Sequence, residues 1–491
     1  MSILVNALRA IAALQPDSLA LTDNKRSLNW ADFIAEVDHL TLFLQTYKNE
    51  VVALYEDNGI DWVIADLASQ QAGVILLPLP AFFATKQSQS VLAQANAVAV
   101  IHSQHDAPLF TSGLSTTTTI SDRLQLSALI SHSKAAMPPA TSKITFTSGS
   151  TGSPKGVCLS EENQFAVAQA LLEKTEYQAI NHLCVLPLST LLENVAGVYA
   201  PLFSGGSVTL LPLDTIGFNG SSQFDVAQFT RTLSRIKPES IILLPQLLMI
   251  LCEAVTKGYC LPASIKFIAV GGSKVSTELL NRSRAAGLPV FEGYGLSECG
   301  SVVCLNAIDM MKAGTVGKPL SHVDVRIQND EIIIQGNVFL GYLNHPESWQ
   351  QAEYATGDLG YLDKDGFLCI RGRKKNLLIS SYGRNISPEW VESELLANPS
   401  IAHCIVLGDA MPYCSALIQP REQITESSVI DQWIKQVNQT LPDYARIMAW
   451  QYFCEPLSVS RGTLTINGRP VRQAISSCYQ QQINDLYKEQ A

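Results

Sequence analysis

The stretch "ITFTSGSTGSPKGVCLS", Ile144–Ser160, places a short apolar strand directly before a loop of glycine, serine and threonine. The glycines allow positive φ angles and let the backbone approach a ligand closely. Hydroxyl groups and free amides can then converge on an oxyanion, and Lys155 adds a positive charge. The loop is not a Walker A loop, because Pro154 stands where that pattern has its second glycine. The sequence therefore favours a phosphate-binding loop over an ordinary Gly/Ser surface loop.

Composition restricts the class of protein. The chain has 491 residues, of which 47% are hydrophobic and 16% are charged, so it can bury a large core. Its length indicates about two to four domains. The net charge of −10 argues against a dedicated nucleic-acid binder, which needs a basic face to neutralise phosphates. It leaves room for a local anion site.

The 11 cysteines are scattered and form no C-x-x-C pair, which indicates reduced thiols and a cytoplasmic protein and argues against a structural zinc site. The N-terminal segment is typical of an amphipathic helix ending near Gln15-Pro16 rather than a signal peptide. The longest apolar run, Ala72–Phe83, is too short to span a bilayer and contains two prolines. No transmembrane segment is expected, and peripheral membrane contact is left open.

Short apolar runs alternate with helical patterns through the first part of the chain. The strand-like runs are Glu50–Glu56, Ala97–Ser103, Ser240–Gln246, Ile265–Gly272 and Leu288–Gly295. This alternation predicts parallel or mixed sheets flanked by helices. After residue 320 the pattern changes to hairpins that turn near Asn329-Asp330 and Asp365-Gly366. Helical patterns then follow at "PEWVESELLA" and "SSVIDQWIKQVNQTL".

The predicted fold is therefore α/β. A large N-terminal domain, residues 1–371, would contain sheets flanked by helices and a β subdomain. A small, mobile α+β C-terminal domain would cover residues 372–491, after the short basic segment "GRKKN". We find no internal repeat of 20–50 residues in the sequence.

The phosphate-loop segment "TSGSTGSPKG" resembles the signature of the acyl-adenylate-forming superfamily, which includes acyl-CoA synthetases, peptide-synthetase adenylation domains and luciferases. Further motifs of that family follow in order. The segments of this chain that resemble them are "FEGYGLSECG" (Phe291–Gly300), "YATGDLG" (Tyr354–Gly360), "IRGRKKNLLISSYGRNISPEWVE" (Ile370–Glu392) and "LTINGRPVR" (Leu464–Arg472). The resemblance covers essentially the whole chain, and it is closest to the fatty-acyl-CoA synthetases.

The resemblance implies a role for each matching residue. The ATP phosphates would be held by Thr147, Ser148, Gly149, Ser150, Thr151, Gly152 and Lys155. The adenine and ribose would be held by Gly271, Gly272, Ser273, Tyr294, Gly295, Asp358 and Arg373. Ser297 would contact phosphate oxygens, and Glu298 would hold Mg²⁺, a cation that prefers carboxylate oxygen. Lys375 matches the hinge, and Gly383 matches the glycine beside the pantetheine arm of CoA.

The implied chemistry has two steps. A carboxylate attacks the α-phosphate of ATP to give acyl-AMP and pyrophosphate, and the thiol of CoA then attacks the anhydride. Lys155, Glu298 and Arg469 are the implied catalytic residues, because charge that builds on phosphorus must be neutralised. The family performs both steps in one site by moving its C-terminal domain.

Two positions depart from the family pattern. The family's catalytic lysine follows a glycine near the C-terminus, but here Arg469 follows Gly468. Arginine keeps the charge in a planar fork rather than a compact ammonium, so we expect adenylation with altered geometry. In "LPLSTLLENVAG", Thr190 occupies the place of a histidine, and this weakens any transfer of details of the thiol step.

Three functional interpretations remain open. The segment "GVYAPLF", Gly197–Phe203, offers no acidic partner for an amino acid's ammonium group, which argues against an amino-acid activator. Its small, apolar residues are consistent with an acyl chain, and a fatty acid is favoured over an aryl acid. The protein would be an acyl-CoA ligase, or it would pass its acyl group to an acyl carrier protein or an amine. The third interpretation is a nucleotide-binding regulator without catalysis, against which the intact phosphate loop, Glu298 and Asp358 argue.

Overall fold

The structure is a computed structural model of the whole chain. It describes residues 2–80, 83, 85–103, 114–130, 135–147, 154–175, 178–219, 223–382, 384–421, 426–465 and 468–488.

The α-helices of these residues, α1 to α14, are Ile3–Leu14, Trp30–Leu44, Ile60–Ala72, Thr85–Ala95, Glu161–Thr175, Ala200–Phe203, Leu213–Ile216, Val226–Ile236, Pro245–Thr256, Thr277–Ala285, Pro388–Leu395, Ser427–Thr440, Arg472–Cys478 and Gln480–Lys488. A π-helix, Glu193–Tyr199, runs directly into α6, and short 3-10 turns include Ser297–Cys299 and Lys374–Asn376. In the part of the chain that the structure describes, the helices are too short or too polar to cross a lipid bilayer.

The β-strands, β1 to β28, are Leu19–Thr22, Ser27–Asn29, Val51–Tyr55, Ile75–Pro78, Ala99–Ser103, Leu114–Thr119, Leu124–Leu129, Lys143–Thr147, Lys155–Leu159, Asn181–Cys184, Ser207–Leu210, Phe218–Asn219, Gln223–Phe224, Ser240–Leu243, Phe267–Val270, Val290–Tyr294, Cys304–Leu305, Lys318–Pro319, Val323–Gln328, Glu331–Gly336, Gly341–Tyr342, Glu353–Leu362, Leu368–Arg373, Leu378–Ile379, Asn385–Ile386, Ile401–Leu407, Cys414–Pro420 and Ile447–Tyr452.

Two large sheets form the N-terminal part. One has the order β18-β17-β16-β15-β14-β10-β11-β1-β2, and its central strands from β16 to β1 are parallel. The other has the order β21-β9-β8-β4-β3-β5-β7-β6. The apolar runs of these strands are buried on both faces because helices cover the sheets. The α/β architecture predicted from the alternation of strands and helices is confirmed.

The β subdomain is the sheet β19-β20-β22-β23. Its two predicted hairpins are present: Asn329 and Asp330 have φ angles of 50° and 63° between β19 and β20, and Gly366 has a φ of 79°. Two adjacent residues with positive φ give the turn whose twist matches paired strands. The predicted domain boundary after residue 371 falls inside β23, which ends at Arg373. The boundary remains a prediction.

The C-terminal part is small and α+β, as predicted. Its sheet β26-β27-β28 packs against α11 and α12 around a separate apolar core that includes Val391, Ile418 and Ile434. A second small cluster joins this sheet to α13 and α14, with Ile475 and Tyr479 buried in it. Because these residues make a core of their own, the C-terminal part can pack against the rest of the chain as a compact body.

A buried ion pair connects the start of β8 to α3. The Lys143 ammonium lies 2.8 Å from the Asp66 carboxylate, and both side chains are almost completely buried. Lys143 also donates to Tyr199 and to the amide oxygen of Asn194, and these two residues donate to Asp66. Burial lowers the pKa of Lys143, and the nearby Asp66 carboxylate opposes that shift. The network fixes the strand that leads into the phosphate-loop segment.

Replacing Lys143 with methionine should destabilise the protein, because Asp66 would remain buried without its cation. Loss of one partner of a buried pair costs about 3–5 kcal/mol. Thermal unfolding should therefore show a melting temperature several degrees lower. The double variant Lys143→Met/Asp66→Asn should recover most of the loss, since it leaves no buried charge. A single variant that melts with the wild type would contradict this prediction.

Candidate functional site

A cleft of about 2030 Å³ lies between the large N-terminal part and the C-terminal part. The predicted site residues that line it are Thr147, Lys155, Gly271, Gly272, Ser273, Tyr294, Gly295, Ser297, Glu298, Arg373, Lys375 and Arg469. Of the other predicted site residues, Asp358 is buried immediately behind this surface. Ser148, Gly149, Ser150, Thr151, Gly152 and Gly383 lie outside the described residues.

The hairpin of β8 and β9 brings Lys155 to the cleft. The strands are antiparallel, and Thr147 pairs directly with Lys155 across them. The Lys155 ammonium lies 5.0 Å from the centre of the Tyr342 ring, so the ring face adds an attractive contact for the cation. The phosphate-loop segment is thus connected at both ends to a paired strand, with a positive charge at its exit.

Glu298 lies in the 3-10 turn Ser297–Cys299 and faces two tyrosines. The Tyr342 hydroxyl donates to the Glu298 carboxylate at 2.8 Å, and Tyr354 lies 3.0 Å from the Tyr342 hydroxyl. Burial, followed by the charge of Glu298, raises the pKa of Tyr342, so the phenol stays a donor. One carboxylate oxygen is therefore positioned by Tyr342, and carboxylate is the ligand type that suits Mg²⁺.

The two tyrosines beside Glu298 were not predicted as site residues. Tyr342 belongs to β21, which pairs with β9, and Tyr354 opens the Thr-Gly-Asp segment on β22. Tyr354 lies inside a motif that the sequence analysis identified, so its position gave a signal. Tyr342 belongs to no motif, and only the pairing of β21 with β9 brings it to the cleft.

Asp358 is held from two sides. The Tyr294 hydroxyl donates to one carboxylate oxygen at 2.7 Å, and the Arg373 guanidinium donates to the other at 2.8 Å. Strand pairing explains the second contact, because Asp358 and Arg373 are register partners in β22 and β23. Burial, and then the Asp358 charge, raises the pKa of Tyr294 well above its usual range. The carboxylate is therefore fixed beside the cleft with Tyr294 in front of it.

Two glycines permit close backbone approach next to Tyr294. A Cβ atom on Gly295 would lie 1.7 Å from the carbonyl oxygen of Ser301, so no side chain fits there. Gly272 has a φ of 81°, in the left-handed region that favours glycine, and follows β15. At these two positions the cleft is therefore lined by backbone and not by side chains.

Arg469 reaches the N-terminal part from the C-terminal part. Its guanidinium donates to the carbonyl oxygen of Gly272, and its own backbone N–H donates to the Thr465 hydroxyl at 3.0 Å. Desolvation by the surrounding protein, and secondarily the charge of Arg373, lowers the pKa of Arg469, although the side chain still meets the solvent of the cleft. The residue found at the lysine position therefore points into the predicted nucleotide site.

Further contacts join the two parts next to Arg469. Glu394 on α11 accepts a hydrogen bond from the backbone N–H of Thr277, at the start of α10, at 3.3 Å. Arg282 on α10 donates to the carbonyl oxygen of Ala397 at 3.4 Å. A carboxylate at a helix N-terminus is favourable because it pairs with unsatisfied N–H groups. Lys375, the predicted hinge, lies in the turn after Arg373 and lines the cleft.

The family models match most of the chain. The model described as AMP-binding enzyme matches residues 8–343. The chain belongs to the AMP-binding enzyme family. The model described as the AMP-binding enzyme C-terminal domain matches residues 375–491. The resemblance found in the sequence motifs is confirmed.

Curated relatives of this AMP-binding enzyme include ligases for different acids. It is 31% identical to a long-chain-fatty-acid–CoA ligase of Mycobacterium bovis, over 45% of this chain and 42% of that protein. It is 34% identical to the 2-succinylbenzoate–CoA ligase of Bacillus subtilis, over 55% of this chain and 56% of that protein. The chain thus spans about half the length of these two relatives. A 2-succinylbenzoate–CoA ligase of Bacillus cereus is 27% identical, over 83% of this chain and 86% of that protein.

Solved structures have the same fold over nearly the whole AMP-binding enzyme. An anthranilate CoA ligase in complex with anthranoyl-AMP has a TM-score of 0.81 at 19% identity, covering 97% of this chain and 96% of that chain. The o-succinylbenzoate CoA synthetase of Bacillus subtilis, in complex with its acyl-adenylate, has a TM-score of 0.77 at 24% identity, covering 95% and 97%. The predicted α/β fold with a small C-terminal domain is confirmed.

The cleft continues beside the π-helix. Thr190, Ala196, Ala200 and Pro201 line it. Tyr199 of the same segment turns away into the buried network of Lys143 and Asp66. Of the segment Gly197–Phe203, Ala200 and Pro201 therefore present small, apolar side chains to the cleft.

The fold also brings together three potential metal ligands that the spacing in the sequence did not indicate. Ligand atoms of His182, Cys184 and Glu193 all lie within 4.8 Å of one another. Burial, followed by the charge of Glu193, raises the pKa of Cys184 well above its usual range, so the group is a thiol rather than the thiolate that metals prefer. The Cys184 thiol donates to the carbonyl oxygen of Gly197 at 3.7 Å. Protein hydrogen bonds thus already engage this cluster.

Glu292 on β16 should make stability depend on pH. Burial raises its pKa from 4.5 to about 8, although Lys274 and Arg284 face it and oppose the shift. Between these pH values the folded protein keeps a proton that the unfolded chain releases, so stability falls as pH rises toward 8. Glu292→Gln removes this penalty. Its melting temperature should match the wild type near pH 5 and exceed it at pH 8.5. The exposed Glu162→Gln is the control, and a constant difference across pH would contradict the prediction.

Proposed function

We propose that this protein activates a carboxylic acid with ATP, giving acyl-AMP and pyrophosphate, and then transfers the acyl group to the thiol of CoA. The observation that carries the proposal is that residues of both parts of the protein meet at one cleft. Arg469 comes from the C-terminal part, and Asp358 and Tyr294 come from the N-terminal part. A cation beside a nucleotide site can neutralise charge that builds on the α-phosphate.

Each residue then has a chemical role. Asp358 would accept the ribose hydroxyls, while Arg373 and Tyr294 keep its carboxylate oriented. Thr147 and Lys155 would face the outer phosphates, and Glu298 would hold Mg²⁺, which neutralises phosphate charge when it is bound. Arg469 would contact the substrate carboxylate and the α-phosphate together, since a guanidinium presents several donors in a fixed plane.

The acid is an elongated molecule with an apolar body, and a fatty acid is the simplest example. Leu192, Ala196 and Ile250 contribute apolar surface to the cleft, and the family relatives include a ligase named for long-chain fatty acids. Relatives named for 2-succinylbenzoate make aryl acids the principal competing class.

Acid-dependent exchange of pyrophosphate into ATP, measured without CoA, tests the first step directly. Fatty acids of short, medium and long chain, 2-succinylbenzoate and anthranilate would be compared in parallel. Exchange that occurs with only one of these classes identifies the class of acid that the protein activates. Adding CoA or an acyl carrier protein to the active mixture then identifies the acceptor by the thioester that forms. ATP binding without exchange for any acid would contradict the proposal and favour the nucleotide-binding regulator.

A further inference from the structure

Three buried polar side chains form a continuous hydrogen-bonded row that runs from β14 through β10 to the π-helix Glu193–Tyr199. His182 Nδ1 lies 2.8 Å from the Ser240 hydroxyl, and His182 Nε2 lies 3.2 Å from a carboxylate oxygen of Glu193. The other carboxylate oxygen accepts the backbone N–H of Leu186 at 3.3 Å. All three side chains are buried, so the row is built into the protein rather than placed at its surface.

The absence of a side chain at Gly197 leaves space for the contact between Glu193 and His182. A Cβ atom on Gly197 would lie 2.6 Å from the Glu193 carboxylate and 2.9 Å from His182 Nε2. Within the π-helix Glu193–Tyr199, the side chain of Glu193 therefore passes over Gly197. Any side chain at position 197 would block the contact between the Glu193 carboxylate and the His182 imidazole. This arrangement positions His182, and His182 in turn positions the Ser240 hydroxyl.

The row ends at the cleft. His182 and Ser240 both line it, beside apolar neighbours that include Ile180, Phe267 and Ala200. Ser240 is the first residue of β14 and pairs with Phe267, four residues before Gly271. Because a strand rises about 3.3 Å per residue, Ser240 lies about 13 Å along the sheet from the level of Gly271. The polar group is thus at the opposite end of the strands from the nucleotide site.

The Ser240 hydroxyl has bonding capacity beyond its contact with His182. A serine hydroxyl offers one donor and two acceptor positions, and the contact with His182 uses one of them. A buried polar group that faces an apolar cavity gains free energy when a bound molecule supplies a matching partner. The same group penalises a ligand that covers it with hydrocarbon alone.

We propose that Ser240 is a specificity residue, positioned by His182 and Glu193, which selects acids with a hydrogen-bonding group at the end remote from the carboxylate. The inference rests on the proposed function and narrows its substrate class. The ligand is an elongated acid with an apolar middle and a distal hydroxyl, carbonyl or carboxyl oxygen. An unsubstituted fatty acid would cover the Ser240 hydroxyl with hydrocarbon and leave its remaining bonding positions unused.

The test compares matched acids in the pyrophosphate exchange assay with the full-length protein. Straight-chain acids of eight to twelve carbons are each paired with their ω-hydroxy analogue, and 4-phenylbutyrate is paired with 4-(4-hydroxyphenyl)butyrate. We expect a preference for the hydroxylated member of at least about tenfold in kcat/KM at the best length, because a site built to bond a hydroxyl rejects its absence. This comparison needs only the wild-type protein.

Two variants assign the preference to Ser240. Ser240→Ala should reduce it to about twofold or less. Thr175→Val is the matched control, because Thr175 lines the same cleft but donates its hydroxyl to the carbonyl oxygen of Leu171, and it should keep the preference. Melting temperatures establish that both variants are folded. A preference absent from every wild-type pair, or one that survives in a folded Ser240→Ala, would overturn the inference. Exchange with no acid would instead overturn the proposed function, and this inference with it.

Discussion

Arg469→Ala should lower acid-dependent pyrophosphate exchange by about 10²- to 10³-fold, the usual cost of removing one group that stabilises charge in a transition state. Arg469 reaches the cleft from the C-terminal part and contacts the Gly272 carbonyl beside the predicted nucleotide site. Arg469→Lys keeps the charge but lacks the planar fork, so its rate should lie between those of the wild type and the alanine variant.

A comparison of the two reaction steps distinguishes a loss of catalysis from a loss of folding. Transfer of a preformed acyl-AMP to CoA should change far less than exchange, because Arg469 is assigned to the first step. Arg461→Ala is the matched control, since Arg461 pairs with Glu455 within the C-terminal part. If Arg469→Lys and Arg469→Ala both exchange at the wild-type rate, the catalytic assignment of Arg469 is wrong.

Asp358→Ala should raise the KM for ATP by about 10- to 150-fold, which corresponds to losing about 1.5–3 kcal/mol of hydrogen bonding to a charged group. The carboxylate is the acceptor for both Tyr294 and Arg373, so the substitution also releases these two side chains. Calorimetric titration with AMP should show a weaker affinity by a similar factor, independently of any acid.

Asp324→Asn provides the comparison for Asp358. Asp324 is an exposed aspartate on β19 of the same small sheet, and its loss should leave the KM for ATP unchanged. Melting temperatures of both variants must be measured, because Arg373 would lose its partner in Asp358→Ala. A folded Asp358→Ala with wild-type affinity for AMP would remove Asp358 from the nucleotide site.

The sequence predicted the large features because each rests on local chemistry. Alternating apolar runs and helical patterns predicted the sheets, and Asn329-Asp330 predicted a hairpin turn. The ordered motifs predicted that Tyr294, Asp358 and Arg469 would face one site. Spacing along the chain gave no distances between these residues, and strand pairing supplied the contact between Asp358 and Arg373.

The features that the sequence did not predict depend on contacts between segments that are far apart along the chain. Ser240 and His182 are 58 positions apart, and each looks ordinary in its own strand, since a buried polar residue gives no periodic signal. Tyr342 reaches Glu298 only because β21 adds to the edge of β9. The buried Lys143 could not be anticipated from an apolar strand pattern, because its partner Asp66 lies in a helix of a separate segment.

The contacts between the two parts of the protein have a consequence for how the interface tolerates sequence change. Arg469, Arg282 and Glu394 all bond to backbone atoms across the interface. Each such bond contributes only about 0.5–3 kcal/mol net. Because the partners are backbone atoms, the bonds to Ala397 and Thr277 do not depend on which side chain stands at those positions. The attachment that completes the cleft is therefore robust against mutational drift on the opposing surface.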